Sequence, residues 1–93
     1  MDTTETLTFE EFVDLLRERL FDADALFPSR VHDFKGHVLP DYVGVVPDNW
    51  WEEAREELEA QGHLGVDGSG FGAPAARLSA DGRHYVREGR AEV

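Results

Sequence analysis

Four histidines, three serines and a glycine-rich segment are the residues of this 93-residue chain with the types that metal binding, nucleophilic catalysis or nucleotide binding needs. Zinc takes three or four ligands in tetrahedral geometry. His32 and His37 are five residues apart, which places them on different faces of a helix, and the chain has no cysteine to accompany them. The histidines therefore predict no metal site.

The glycine-rich segment 68–73 has the Gly-x-Gly-x-x-Ala spacing of a dinucleotide-binding loop. Such a loop needs a strand before it, a helix after it and a βαβ unit around it, and this sequence provides none of them. The serines have no base at a motif spacing, and the carboxylates are too numerous to indicate a catalytic pair. We expect a protein that is not an enzyme, with no cofactor and no small-molecule substrate.

The charge of the chain is strongly acidic, with a net value of −11 from 20 acidic and 9 basic residues. Residues 1–28 and 48–61 account for all of the excess, and Lys35 is the one lysine. An acidic, lysine-poor chain without isoleucine resembles the proteins of salt-loving archaea. Molar salt screens the self-repulsion of such a surface, because the Debye length falls to about 3 Å at 1 M.

The length and the apolar pattern predict one domain over 8–93, preceded by a flexible N-terminus over 1–7. No apolar run approaches the length of a membrane span, so we expect no membrane partner. The sequence does not open with a basic stretch followed by an apolar one, which predicts a cytoplasmic protein.

The first helix is predicted over 8–21, because Thr8 and Glu11 have the spacing of a capping box. An apolar stripe at helical spacing follows: Phe9, Phe12, Val13, Leu16 and Leu20. A second helix is predicted over 29–38, with Ser29 as its cap. Residues 39–46 fit either a short strand or a turn.

A third helix is predicted over 48–61, since Asp48 or Asn49 can cap it and Gly62 can end it. Two short apolar segments flank the glycine-rich loop and predict a β-hairpin near 63–78. A last helix is predicted over 80–88. The expected class is α+β.

Three runs of the chain resemble the winged helix-turn-helix family. Residues 58–64 resemble the end of a recognition helix that leads into the first wing strand, and residues 77–86 resemble the second wing strand and the final helix. Residues 43–47 are similar to the entry into the recognition helix. The resemblance implies a small winged-helix domain of three to four helices with a C-terminal hairpin wing, in a DNA-binding or transcription-associated protein.

Double-stranded DNA is the partner that this resemblance implies. The resemblance assigns the DNA contacts to residues of the third helix, the wing and the last helix: Asn49, Arg55, Ser69, Phe71, Arg77 and Arg83. In this arrangement the last two arginines bind phosphates, the serine and the phenylalanine lie at the wing tip, and the asparagine and the first arginine reach base edges.

The alternative is a protein-interaction domain that does not bind DNA, either an adaptor or a homodimer. The segment 48–61 carries a charge of −5, which is unfavourable near phosphates. Trp50 and Trp51 are separated by about 100° on the helix, so we expect one ring to stay partly exposed. Tryptophan is enriched at the hot spots of protein interfaces.

Overall fold

Helices and short strands alternate in the computed structural model, which describes residues 7–28, 30–67 and 75–91. The elements, in chain order, are α1 (Phe9–Leu26), β1 (His32–Asp33), a π-helical turn (Phe34–Val38), a 3₁₀ turn (Pro40–Tyr42), α2 (Asn49–Ala60), β2 (Leu64–Asp67), β3 (Ala75–Leu78) and α3 (Ala80–Ala91). The strands form one antiparallel sheet of order β1-β3-β2, so the predicted α+β class is confirmed. The predicted cap Ser29 and most of the predicted flexible N-terminus lie outside the described residues.

The start of α1 forms the predicted capping box. The Thr8 hydroxyl accepts a hydrogen bond from the Glu11 amide at 3.1 Å, and the Thr8 amide donates to the Glu11 carboxylate at 2.9 Å. The helix continues to Leu26, five residues beyond the predicted end. Ala23 prolongs the buried stripe, and the helix stops only where Pro28 disfavours helical backbone at the preceding Phe27.

The prediction of a helix over 29–38 is wrong for its first half. His32 and Asp33 pair with Ala76 and Ala75 of β3, and a π-helical turn begins only at Phe34. The Asp33 carboxylate caps that turn by accepting from the Lys35 amide at 3.2 Å. Phe34 and Val38, whose spacing of four residues is compatible with a helix, are the two buried ends of this single turn.

The helix α2, the hairpin and α3 are formed close to where the sequence predicts them. Gly62 ends α2 with φ of 77°, a conformation that favours glycine. Leu64 pairs with Leu78 in the hairpin, with an irregularity between Leu64 and Val66. Ser79 caps α3 by accepting from the Gly82 amide at 3.1 Å, and α3 extends past the predicted end at 88.

The core lies between α1, α2 and the sheet, with α1 at its centre. The largest fully buried side chains come from all these elements and the turns between them: Trp51, Phe12, Phe34, Leu16, Leu20, Leu39, Leu58 and Leu78. Gly82 allows α3 to approach the strand, since a Cβ at this position would lie 2.5 Å from the His63 carbonyl oxygen. None of the described helices combines the length and the apolarity that crossing a membrane needs.

Candidate functional site

The two predicted base-contacting residues of α2 are held by carboxylates of the same helix. The Asn49 side-chain amide donates to Glu53. The Arg55 guanidinium lies 2.8 Å from a Glu52 carboxylate oxygen and 3.9 Å from one of Glu59. These contacts leave α2 with an acidic outer face in which its one arginine is already surrounded by glutamates.

The two predicted phosphate-contacting arginines make contacts inside the domain. Arg77 Nε donates to Asp24 Oδ1 at 2.9 Å, and this largely buried ion pair joins β3 to α1. Arg83 Nη1 donates to the Leu78 carbonyl at 3.0 Å. The predicted wing-tip residues Ser69 and Phe71 lie outside the described residues. The structure therefore gives Arg77 and Arg83 structural contacts of their own.

The two tryptophans have different environments. Trp51 is 1% exposed and packs edge-on against Phe12, with ring centroids 5.2 Å apart. Trp50 is half-buried and packs against Phe9 and Phe12, with both centroid distances at 5.6 Å. Trp51 belongs to the core, whereas Trp50 keeps part of its ring at the surface.

An exposed apolar turn precedes Trp50. Val43 and Val45 are 50% and 51% exposed, and Gly44 between them has φ of 84°. Tyr42, which comes just before this turn, packs on the same Phe12 ring as Trp50. We call Val43, Val45 and Trp50 the turn surface.

The sequence left 39–46 open between a strand and a turn, and so Val43 and Val45 of the turn surface were not predicted, whereas Trp50 was named as a candidate interface residue. Two valines around a glycine fit a strand as well as a turn. The local signals that favour a turn are Gly44 and the nearby Pro47.

Exposed carboxylates flank the turn surface along the chain. Asp41, Asp48 and Glu53 are all exposed, and Lys35 Nζ lies 4.0 Å from Asp48 Oδ1. The outer side of α2 continues this acidic region with Glu52, Glu56, Glu57 and Glu59. The exposed apolar side chains of this stretch are thus close in the sequence to an excess of negative charge.

A second polar cluster surrounds His32, which is buried on β1. Its Nε2 has no hydrogen-bond partner among the described residues, and its ring lies 5.6 Å from that of His37. Burial lowers the pKa of His32. The neighbouring His37 and Arg77 lower this pKa further, and Asp24 raises it. Within the described ranges, no three histidine, aspartate or glutamate side chains are grouped so that they could hold a metal ion.

A third polar cluster has Arg17 at its centre, which is only 3% exposed. Its Nε donates to His63 Nδ1 at 3.1 Å, its Nη1 lies 2.6 Å from Asp14 Oδ1, and its Nη2 donates to Gln61 Oε1. The guanidinium carbon lies 4.5 Å from the Tyr85 ring centroid. Burial and the nearby Arg17 charge lower the pKa of His63. This cluster ties α1 to α3 and to the end of α2.

Comparisons with models of protein families, with characterised proteins and with solved structures find no significant match to this chain. The grounds for a function are therefore the charges, contacts and exposed surfaces of the described residues. The turn surface and the acidic face of α2 are the candidate functional site, because they combine exposed apolar side chains with excess charge of one sign.

Proposed function

We propose that this chain is a small winged-helix domain that binds another protein through α2 and the turn surface. The order of helix, helical turns, helix, antiparallel hairpin and helix supports the winged-helix assignment. In that assignment α2 has the position of the recognition helix, and the hairpin of β2 and β3 has the position of the wing.

The acidic outer face of α2 is the observation that carries the choice of a protein partner. A DNA duplex presents one negative charge per about 1.7 Å of its axis, so a helix in its groove needs neutral or basic side chains. On α2 the single arginine is held by Glu52 and Glu59, and Asn49 is held by Glu53. The same carboxylates favour a partner with basic residues.

The turn surface supplies the apolar part of this interface. Trp50 is held in place by Phe9 and Phe12, so its partly exposed ring loses little freedom when a partner covers it. Val43 and Val45, in the turn that precedes Trp50 in the chain, add exposed apolar side chains. An aromatic anchor with a charged rim is the usual composition of an interface hot spot.

The charges favour a different protein over a second copy of this chain as the partner. A two-fold symmetric dimer brings the same patch of both copies together. Such a dimer through α2 would place Glu52, Glu53 and Glu56 near their own counterparts, and like charges across an interface are destabilising. The proposal is therefore an adaptor-like domain.

DNA binding is the second candidate, and one observation favours it. Arg83 uses one guanidinium nitrogen for the Leu78 carbonyl, and the exposed Arg87 lies one turn further along α3. Residues 75–87 carry three arginines and one aspartate, so this segment is less acidic than α2 and suits phosphates better. The cytoplasmic location of the domain stays a prediction.

A peptide-display selection on the immobilised domain tests the protein-binding proposal. We expect selected peptides to be rich in basic and aromatic residues and to shift the amide resonances of residues 43–57. Trp50→Ala is expected to weaken their binding by about tenfold or more. The matched control is Leu26→Ala. Leu26 is 74% exposed and is the last residue of α1, whereas Trp50 packs against the first turn of that helix.

Two outcomes would contradict the proposal. One is selected peptides that bind Trp50→Ala and Leu26→Ala equally well. The other is saturable shifts of residues 75–87 on addition of mixed-sequence duplex DNA, which would favour the second candidate. Circular dichroism of both variants checks that the fold is retained.

A further inference from the structure

An open groove of about 220 Å³ lies between α1 and α2. Phe9, Glu10 and Val13 line it from α1, and Glu57 and Gln61 line it from α2. Its volume is below the range of about 300–1,000 Å³ that is usual for drug-sized ligands. The groove therefore suits a single long side chain.

The groove is continuous with the turn surface through one aromatic contact. The Phe9 ring, which lines the groove, packs edge-on against Trp50, with the centroids 5.6 Å apart. A partner that covers Trp50 therefore lies within reach of the groove.

The lining combines apolar surface with two carboxylates that form no ion pair with any cation of the described residues. Phe9 is half-buried and supplies most of the apolar surface of the groove, whereas Val13, which also lines it, is only 3% exposed. Glu10 has no ion-pair or hydrogen-bond partner among the described residues, and Glu57 accepts only the neutral amide of Gln61, at 2.9 Å. A side chain with an apolar stem and a cationic head matches this lining.

We propose that the groove receives an arginine side chain of the protein that binds the turn surface. The stem packs on Phe9 and Val13, and the guanidinium lies between the carboxylates of Glu10 and Glu57. Arginine suits this place better than lysine, because its planar group pairs with carboxylates through two hydrogen bonds and is more weakly hydrated. This inference rests on the proposed function and adds the residue type that the partner must supply.

The test uses two short amphipathic peptides that differ at one position. One carries a single arginine beside a leucine-rich face, and the other carries citrulline, the neutral isostere of arginine, at the same place. We expect the arginine peptide to shift the amide resonances of Phe9, Val13 and Glu57. The citrulline peptide is expected to bind about tenfold more weakly, since it lacks the charge-assisted hydrogen bonds.

The domain offers a matched pair of variants for the same titration. Glu57→Gln and Glu88→Gln each remove one negative charge from an exposed helix position, but only Glu57 lines the groove, and Glu88 lies on α3, outside the proposed interface. We expect Glu57→Gln to weaken binding of the arginine peptide about fivefold, and Glu88→Gln to change it by less than about twofold.

Equal binding of the arginine and citrulline peptides would overturn the inference, as would equal effects of the two glutamate substitutions. Peptide-induced shifts confined to residues 43–50 would also overturn it, while leaving the proposed function intact. Shifts of Phe9 and Val13 that depend on the concentration of the domain alone would identify a second copy as the occupant and contradict the inference. Failure of the proposed function is seen separately, in the display selection and the Trp50 variant.

Discussion

The side of α1 that faces α3 and the side that faces α2 differ in how far their charged side chains are paired within the chain. On the α3 side, Arg17 binds Asp14 and stacks on Tyr85. Arg90 lies 3.1 Å from Asp22 and 3.5 Å from Glu18.

On the α2 side, carboxylates outnumber cations and the valines of the turn surface are exposed. The comparison indicates that the α3 side serves the fold of the domain, whereas the α2 side has charge and apolar area left for a partner.

The largest effect that we expect separates the inner and outer faces of α2. Leu58 is fully buried, so Leu58→Ala should lower the free energy of unfolding by about 2–5 kcal/mol. Glu56→Ala, on the outer face, should change it by less than about 0.5 kcal/mol. Urea denaturation of both variants measures the difference. A harmless Leu58→Ala would mean that α2 does not pack as described.

The next effect concerns the buried arginine on the α3 side. Arg17→Met removes the donor to His63 and Gln61, and should lower the free energy of unfolding by about 2–3 kcal/mol. Arg19→Met on the same helix is the control, because Arg19 is exposed and has no ion-pair partner among the described residues. If the two substitutions cost the same in urea denaturation, the α3 side is not held together by its Arg17 cluster.

Acid should destabilise the domain through its two shielded histidines. Burial lowers the pKa of both His32 and His63 in the folded state, so the unfolded chain binds protons first as the pH falls. The stability they contribute is fully present above about pH 6.5 and decreases as the pH falls from there toward their folded-state pKa.

Urea denaturation at about pH 7.5 and pH 5.5 measures this loss, in a window where carboxylates mostly stay ionised. His63→Gln should reduce the pH dependence, because it removes one of the two shielded imidazoles. A stability that is flat across this window would contradict the burial of His32 and His63.

The smallest effect is the repulsion among the carboxylates of α2. Glu56→Gln should raise the free energy of unfolding by about 0.3 kcal/mol at low salt. In molar potassium chloride the same substitution should have almost no effect. The unsubstituted domain should itself become more stable with salt, as the prediction of a halophilic protein requires. Thermal unfolding at both salt concentrations measures these changes, and a midpoint that falls with salt would remove the halophile interpretation.

Local sequence signals predicted the elements that are stabilised locally. The capping box of Thr8 and Glu11 placed the start of α1, and Gly62 placed the end of α2. The predicted cap of α2 is not formed, because Asp48 makes no side-chain cap hydrogen bond and the Asn49 side chain donates to Glu53. The strand at His32 could not be predicted in the same way, because it exists only by pairing with β3, more than 40 residues away in the sequence.

The candidate site was predicted only in part, for the same reason. The sequence indicated that the charge of 48–61 and the tryptophan pair matter, but it could not tell which ring stays at the surface. Arg77 and Arg83 fitted phosphate contacts until their partners Asp24 and the Leu78 carbonyl were known. Such partners are brought together by tertiary packing, so spacing along the chain does not indicate them.

Titration of the isotope-labelled domain with mixed-sequence duplex DNA, from low to molar salt, tests the central claim most directly. The account predicts no saturable shift in α2, in the described part of the hairpin or in α3 at any salt concentration. Saturable shifts across residues 75–87 would contradict it. The contradiction would be complete if Arg83→Ala, at the same time, flattened the dependence of log affinity on log salt by about one unit, the signature of a lost phosphate contact.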